Sequence, residues 1–168
     1  MIQKIIVLLA LGFVIFMSIY RITETPPTWM DEGAIEQVAI NLVNNGIYGY
    51  QTAPGYFISA SFLTTSYSLI YPLALAFKIF GTNLFIARLV MVFFVSLLSL
   101  FIYLFIRQQE FGKKVFLPIA SLFLLVTFAP LYGHGKNVLG EVPGLVFFVV
   151  ALFLFGFGIV ILYFFTRL

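Results

Sequence analysis

The sequence predicts an all-α fold, a polytopic membrane protein of about four transmembrane helices with further membrane-surface helices in a long first outer loop. Three observations predict it. Of 168 residues, 62% are hydrophobic and only 9% are charged, where water-soluble domains carry about 25% charged residues. The mean hydropathy is +1.13. The few charges gather in small clusters between apolar runs, several of them near the ~20 residues that a bilayer crossing requires. A soluble domain is excluded by this composition. The net charge of +3 is spread too thinly to form a basic stripe for nucleic acid. The chain has no cysteine, which rules out disulfides, thiolate metal ligands and thiol nucleophiles.

The spans follow in order. Residues 4–21 form the first; no pair of small residues precedes a cleavage point, so the segment reads as a retained anchor rather than a signal peptide. Residues 84–106, 115–132 and 142–165 form the other three, and residues 1–168 make a single membrane domain. Basic residues in short loops favour the cytoplasm. Lys4, the turn with Arg107, Lys113 and Lys114, and Arg167 therefore place both termini there, in a multi-pass protein of the cell membrane. Five of the six acidic residues, Glu24, Asp31, Glu32, Glu36 and Glu141, then fall on the outer side.

The first outer loop, about residues 21–83, is long enough to hold structure of its own. After Pro26-Pro27, Asp31 is expected to cap a helix. Ile35, Val38, Ala39, Leu42 and Val43 recur at helical spacing until Asn45-Gly46 closes the run. A second apolar segment, about residues 66–80, is short for a crossing and carries Lys78, so it reads as interfacial or re-entrant and ends at Gly81. Between them, residues 49–56 are rich in turn formers and tyrosine, which suits either an interfacial aromatic belt or a sugar-stacking surface that includes Tyr50.

Two outer clusters could carry chemistry. Asp31 and Glu32 are adjacent at the first turn of the surface helix. Cap and helix-dipole roles explain such acids, and so does general-base chemistry beside an apolar boundary that raises a carboxyl pKa. The second outer loop packs His134, Lys136 and Glu141 into nine residues before Pro143, which is placed at the first position of the last span. Lys136 suits a phosphate. His134 and Glu141 suit a divalent cation or a substrate, although one histidine with scattered acids leaves metal dependence open. Arg88, early in the second span, either snorkels or binds a lipid phosphate or a buried acid.

The order of these pieces resembles the N-terminal portion of the GT-C-fold glycosyltransferases that use polyprenyl-phosphate sugars, such as dolichyl-phosphate-mannose protein mannosyltransferases and lipid A aminoarabinose transferases. The residues that carry the resemblance are Pro27-Thr28-Trp29-Met30-Asp31-Glu32-Gly33, Ala39-Ile40-Asn41-Leu42 and Asn45-Gly46-Ile47-Tyr48. Tyr71-Pro72-Leu73-Ala74-Leu75 through Phe80-Gly81, Ala87-Arg88-Leu89, and Lys136 through Glu141-Val142-Pro143 continue it. Ser66-Tyr67-Ser68 departs from the family's usual glycine before the tyrosine-proline segment. The family's larger number of spans implies that this chain is a fragment or one part of a split gene.

The resemblance implies transfer of a sugar, with inversion, from a polyprenyl-phosphate donor to an acceptor protein, lipid or polysaccharide at the outer membrane face. It implies Asp31 as the general base, Glu32 as its orienting partner or a sugar or metal contact, and Lys136 or Arg88 as the groups that meet the departing lipid phosphate. The alternative is a non-catalytic membrane subunit or structural protein whose acids are caps and whose helices pack against partners. A transporter fits less well, since the centres of the spans carry no charge.

Overall fold

The computed structural model describes residues 2–63, 67–108 and 116–165. It is mostly helical: α1 (Ile2–Ile19), α2 (Met30–Asn45), α3 (Tyr67–Phe80), α4 (Leu84–Gln108), α5 (Phe116–Thr127), α6 (Ala129–His134) and α7 (Glu141–Phe165). A hairpin of β1 (Gly49–Ala53) and β2 (Tyr56–Ser59) interrupts the series. α4 is the hub. It packs against α7, α5, α1 and α3, while α2 lies on α3 and β1.

Local chemistry sets the boundaries. α1 ends where Arg21 adopts a left-handed φ of 50°. Gly46 takes φ 67° and returns its N–H to the Leu42 carbonyl, a left-handed C-terminal cap that glycine adopts without a Cβ clash. α3 likewise ends with the Gly81 N–H on the Phe77 carbonyl. α4 begins where the Asn83 side chain accepts from the Ile86 N–H at 2.9 Å. Pro54-Gly55 makes the hairpin turn, with Gly55 at φ 77°, and pairs Tyr50 with Ile58 and Gln51 with Phe57.

Three sequence expectations are corrected. Asp31 is not the cap of α2: the helix starts one residue earlier, Trp29 occupies the cap position without a side-chain bond, and Asp31 sits in the first turn. The run 115–132 is not one helix. Its described part breaks at Phe128, because Pro130 in the first turn of α6 lacks the N–H that a continuous helix would use. Pro143 stands third in α7 rather than first, where its missing N–H still has no intrahelical partner to lose. The turn carrying Glu110, Lys113 and Lys114, the start of the expected third span at 115, Ser66, and Arg167 lie outside the described residues.

The core is a continuous apolar cluster of Ile35, Val38 and Ala39 from α2, Leu69, Leu73 and Phe77 from α3, Met91, Val95 and Leu98 from α4, and Val142 and Val146 from α7. Phe94 meets Phe147, and Phe101 meets Phe153 edge-on at 5.9 Å, along the α4–α7 seam. The outside is equally apolar: Leu8, Leu9 and Phe16 of α1, Phe93 of α4, Phe123 and Leu124 of α5, and Phe148 and Phe155 of α7 are exposed. Hydroxyls in these helices turn back on their own backbone, as Ser96 to Val92, Ser99 to Val95, Ser121 to Pro118 and Thr127 to Phe123. Among the described residues, one helix, Leu84–Gln108, is long and apolar enough to cross a membrane, whereas Lys4–Ile19, Phe116–Thr127 and Glu141–Gly156 are apolar but shorter.

This partition of leucines is testable. Leu73→Ala, in the sealed core, is expected to lower stability by about 2–5 kcal/mol. Leu124→Ala, on the outer surface, is expected to change it by about 0.5 kcal/mol or less. Equilibrium unfolding in mild detergent measures both.

Candidate functional site

The polar residues predicted from sequence converge at one end of the helices, but they meet inward. Glu32, in the first turn of α2, and Arg88, in the second turn of α4, are both fully buried. They form a two-pronged ion pair, with Arg88 Nε donating to Glu32 Oε1 at 2.9 Å and Nη2 donating to Oε2 at 3.0 Å. The third guanidinium nitrogen, Nη1, donates to the Ile22 carbonyl at 2.7 Å. Glu32 Oε1 also accepts from the Val138 N–H at 3.1 Å. Four segments are thereby joined: the stretch after α1, the start of α2, the start of α4, and the loop before α7.

Such a pair is expensive to desolvate and holds only because each charge is met by several hydrogen bonds. The arrangement also answers the question left open for Arg88. It binds a buried acid, each of its three nitrogens makes a hydrogen bond inside the protein, and it has no exposed surface to offer a lipid phosphate. Glu32 has both oxygens occupied and no exposed surface.

Lys136 forms a second tie. Its ammonium donates to the Tyr20 carbonyl at 2.8 Å, joining the same loop to the end of α1. Its pKa is lowered, first by burial and then by the positive charges of Arg88 and Arg21. Neighbouring polar atoms have no hydrogen-bond partner among the described residues: Asn137 Oδ1 and, two residues before Tyr20, Ser18 Oγ, both buried.

Asp31 is exposed and is held beside Glu32 on a helix start that the ion pair fixes. Two exposed apolar side chains, Trp29 and Met30, flank it. His134 and Glu141 are exposed on either side of the loop before α7, and Tyr50 is half-buried on β1 against the core. Among the described residues no three His, Asp or Glu side chains gather in a way that could hold a metal ion, so these residues do not form a cation site together.

One residue of interest was not singled out from the sequence. Glu36 lies one turn after Glu32 on the same face of α2 and is half-buried, and its Oε1 is buried without a partner among the described residues. Burial, and then the negative charge of Glu32, push its pKa from 4.5 up to about 7 against the opposing pull of Arg88. The spacing of two glutamates at i and i+4 was the available signal. Next to it, Gln37 and Asn41 hang the hairpin on α2 by donating to the Gln51 and Gly49 carbonyls at 3.4 and 2.8 Å. Beyond the hairpin, Tyr48, Tyr67 and Tyr71 stack, with Tyr48 4.5 Å from Tyr67 and Tyr67 5.4 Å from Tyr71. Burial and the two neighbouring phenols raise the Tyr48 pKa.

No protein-family model, curated protein or solved structure matches the chain.

Two outcomes are expected. Glu32→Gln and Arg88→Met should each destabilise the fold by about 3–5 kcal/mol, because each leaves a partner charge buried and unpaired; chemical unfolding measures the loss. Glu36 should make stability fall as pH rises. With its folded pKa raised from 4.5 to about 7, the stabilising proton is fully bound in both states below about pH 4.5 and is lost from the folded state through about pH 7. Thermal unfolding of Glu36→Gln should match the parent at pH 4.5 and exceed it at pH 8.

Proposed function

We propose that this chain is a multi-pass protein of the cell membrane that acts as a glycosyltransferase, moving a sugar from a polyprenyl-phosphate donor to an acceptor protein, lipid or polysaccharide at the outer face. The observation that carries the reading is Asp31: an exposed carboxylate on the first turn of a helix whose adjacent residue is locked by a buried ion pair.

The membrane part of the proposal draws on the apolar outer surface, the inward-turned hydroxyls and the location of the buried charges at one end of the bundle. In a bilayer every polar group must be met within the protein. α1, α4, the broken α5–α6 pair and α7 are the four crossings in this reading, with both termini cytoplasmic. The exposed Trp29-Met30 pair suits the membrane interface and would keep Asp31 at the level of lipid phosphates.

In the reaction, Asp31 takes the proton of the acceptor hydroxyl as its oxygen attacks the anomeric carbon, and the bond from that carbon to the donor phosphate breaks. General-base assistance of this kind contributes about 100- to 10,000-fold in rate. Glu32 positions Asp31 and is itself held by Arg88. Lys136, buried and giving one N–H to Tyr20, acts on the departing lipid phosphate through its charge rather than by direct contact.

A second reading, a non-catalytic membrane subunit, is favoured by a different fact: Glu32 and Arg88 find their partners in each other and in the Ile22 and Val138 backbones, inside the protein. Asp31→Asn decides between them. Sugar transfer from radiolabelled polyprenyl-phosphate sugars, measured in membranes containing the chain, is expected to fall at least about 100-fold in the variant. Undiminished transfer would remove Asp31 as base, and absence of transfer from every donor by the folded parent would favour the subunit.

A further inference from the structure

Away from the ion pair, α3 and the first turns of α4 enclose an apolar groove of about 340 Å³, walled by Pro72, Leu75 and Ile79 on one side and Ile86, Leu89 and Phe93 on the other. Leu75, Ile79 and Phe93 are each more than half exposed, so the groove opens outward along the face of α4. From Ile86 to Phe93 it follows α4 for about 10 Å, starting just below the Asn83 cap.

The two helices that wall this groove carry charge of one sign. Lys78 is exposed in the last turn of α3, next to Ile79 and three residues from Leu75. Residues 67–108 contain no Asp or Glu. The other cation nearby, Arg88, is buried and neutralised by Glu32. A hydrocarbon slot near an exposed ammonium, at the end of the bundle where α4 begins, complements a molecule with an apolar chain and an anionic head.

We propose that this groove binds an anionic phospholipid, one acyl chain lying between α3 and α4 and the phosphate meeting Lys78. The proposal rests on the membrane reading above, but not on catalysis. Charge complementarity selects an anionic lipid over a zwitterionic one of the same chain length. The single exposed cation predicts a modest selectivity, about five-fold for one lysine near a lipid surface.

The test places a tryptophan reporter in the slot. Ile79→Trp is made in a Trp29→Phe background, Trp29 being the one tryptophan of the chain. The purified protein in mild detergent is titrated with phosphatidylglycerol or phosphatidylcholine carrying identical brominated chains, which quench tryptophan on contact. Half-quenching at an about five-fold lower fraction of phosphatidylglycerol is expected. Lys78→Gln should abolish that preference, and Lys4→Gln, at the start of α1, should leave it intact. Equal quenching by the two lipids, or a preference that survives Lys78→Gln, would overturn the proposal. Displacement of bound phosphatidylglycerol by stoichiometric polyprenyl phosphate would overturn it in favour of a donor-lipid slot. Carbonate extraction is run alongside: release of the parent chain from membranes would overturn the membrane reading itself, whereas retention without lipid preference would overturn the groove alone.

Discussion

The pairing of Glu32 with Arg88 is the constraint on which one end of this helical bundle depends. Without it, two opposite charges would lie in an apolar interior with nothing to balance them, and the cost of that burial exceeds what most single contacts return. With it, the start of α2 is tied to the start of α4 across 56 residues, and the Val138 and Ile22 backbones are drawn to the same point. Lys136 repeats the device at smaller scale on the Tyr20 carbonyl. The end of α1 thus has carbonyls satisfied from two directions, by side chains that come from α4 and from the loop before α7.

The consequence is a division of labour between neighbours. Glu32 faces inward and Asp31, one residue earlier, faces out, because consecutive helical residues point about 100° apart. The buried acid fixes the helix start and the exposed acid is displayed by it. Glu36 belongs to the inner side but lacks the partners that Glu32 has, so it keeps its proton to higher pH. Three carboxylates within six residues therefore occupy three different environments, set by where each falls around the helix and by how much of Arg88 each can reach.

Much of this was legible in the sequence. The composition and the length of the apolar runs placed α1, α4 and α7 within a few residues, and Gly46 and Gly81 marked the ends of α2 and α3. The break at Phe128 was also written there, in Pro130, but the run of leucines and phenylalanines before it masked it. The β-hairpin was read only as a turn-rich stretch, although Pro54-Gly55 is a turn signature and Gln37 and Asn41 were present to hold it. The exposed apolar residues could not be told from the core ones, since leucine and phenylalanine line both. The residues of the candidate site were nearly all named, but their partners were not. Pairing of Glu32 with Arg88 spans two elements, and no local pattern encodes it; the buried-acid alternative for Arg88 could be stated but not matched to a particular acid.

The ion pair organises the loops at this end of the bundle as one unit. Hydrogen–deuterium exchange at Val138 in an Arg88→Met variant tests this, because among the described residues Arg88 forms no hydrogen bond to that loop, whereas Glu32, which it holds, accepts from the Val138 N–H. The account predicts that the Val138 amide loses protection once Glu32 is released, along with its neighbours in the loop before α7. Unchanged protection at Val138 in the folded variant would contradict the account and leave the pair a local contact between α2 and α4.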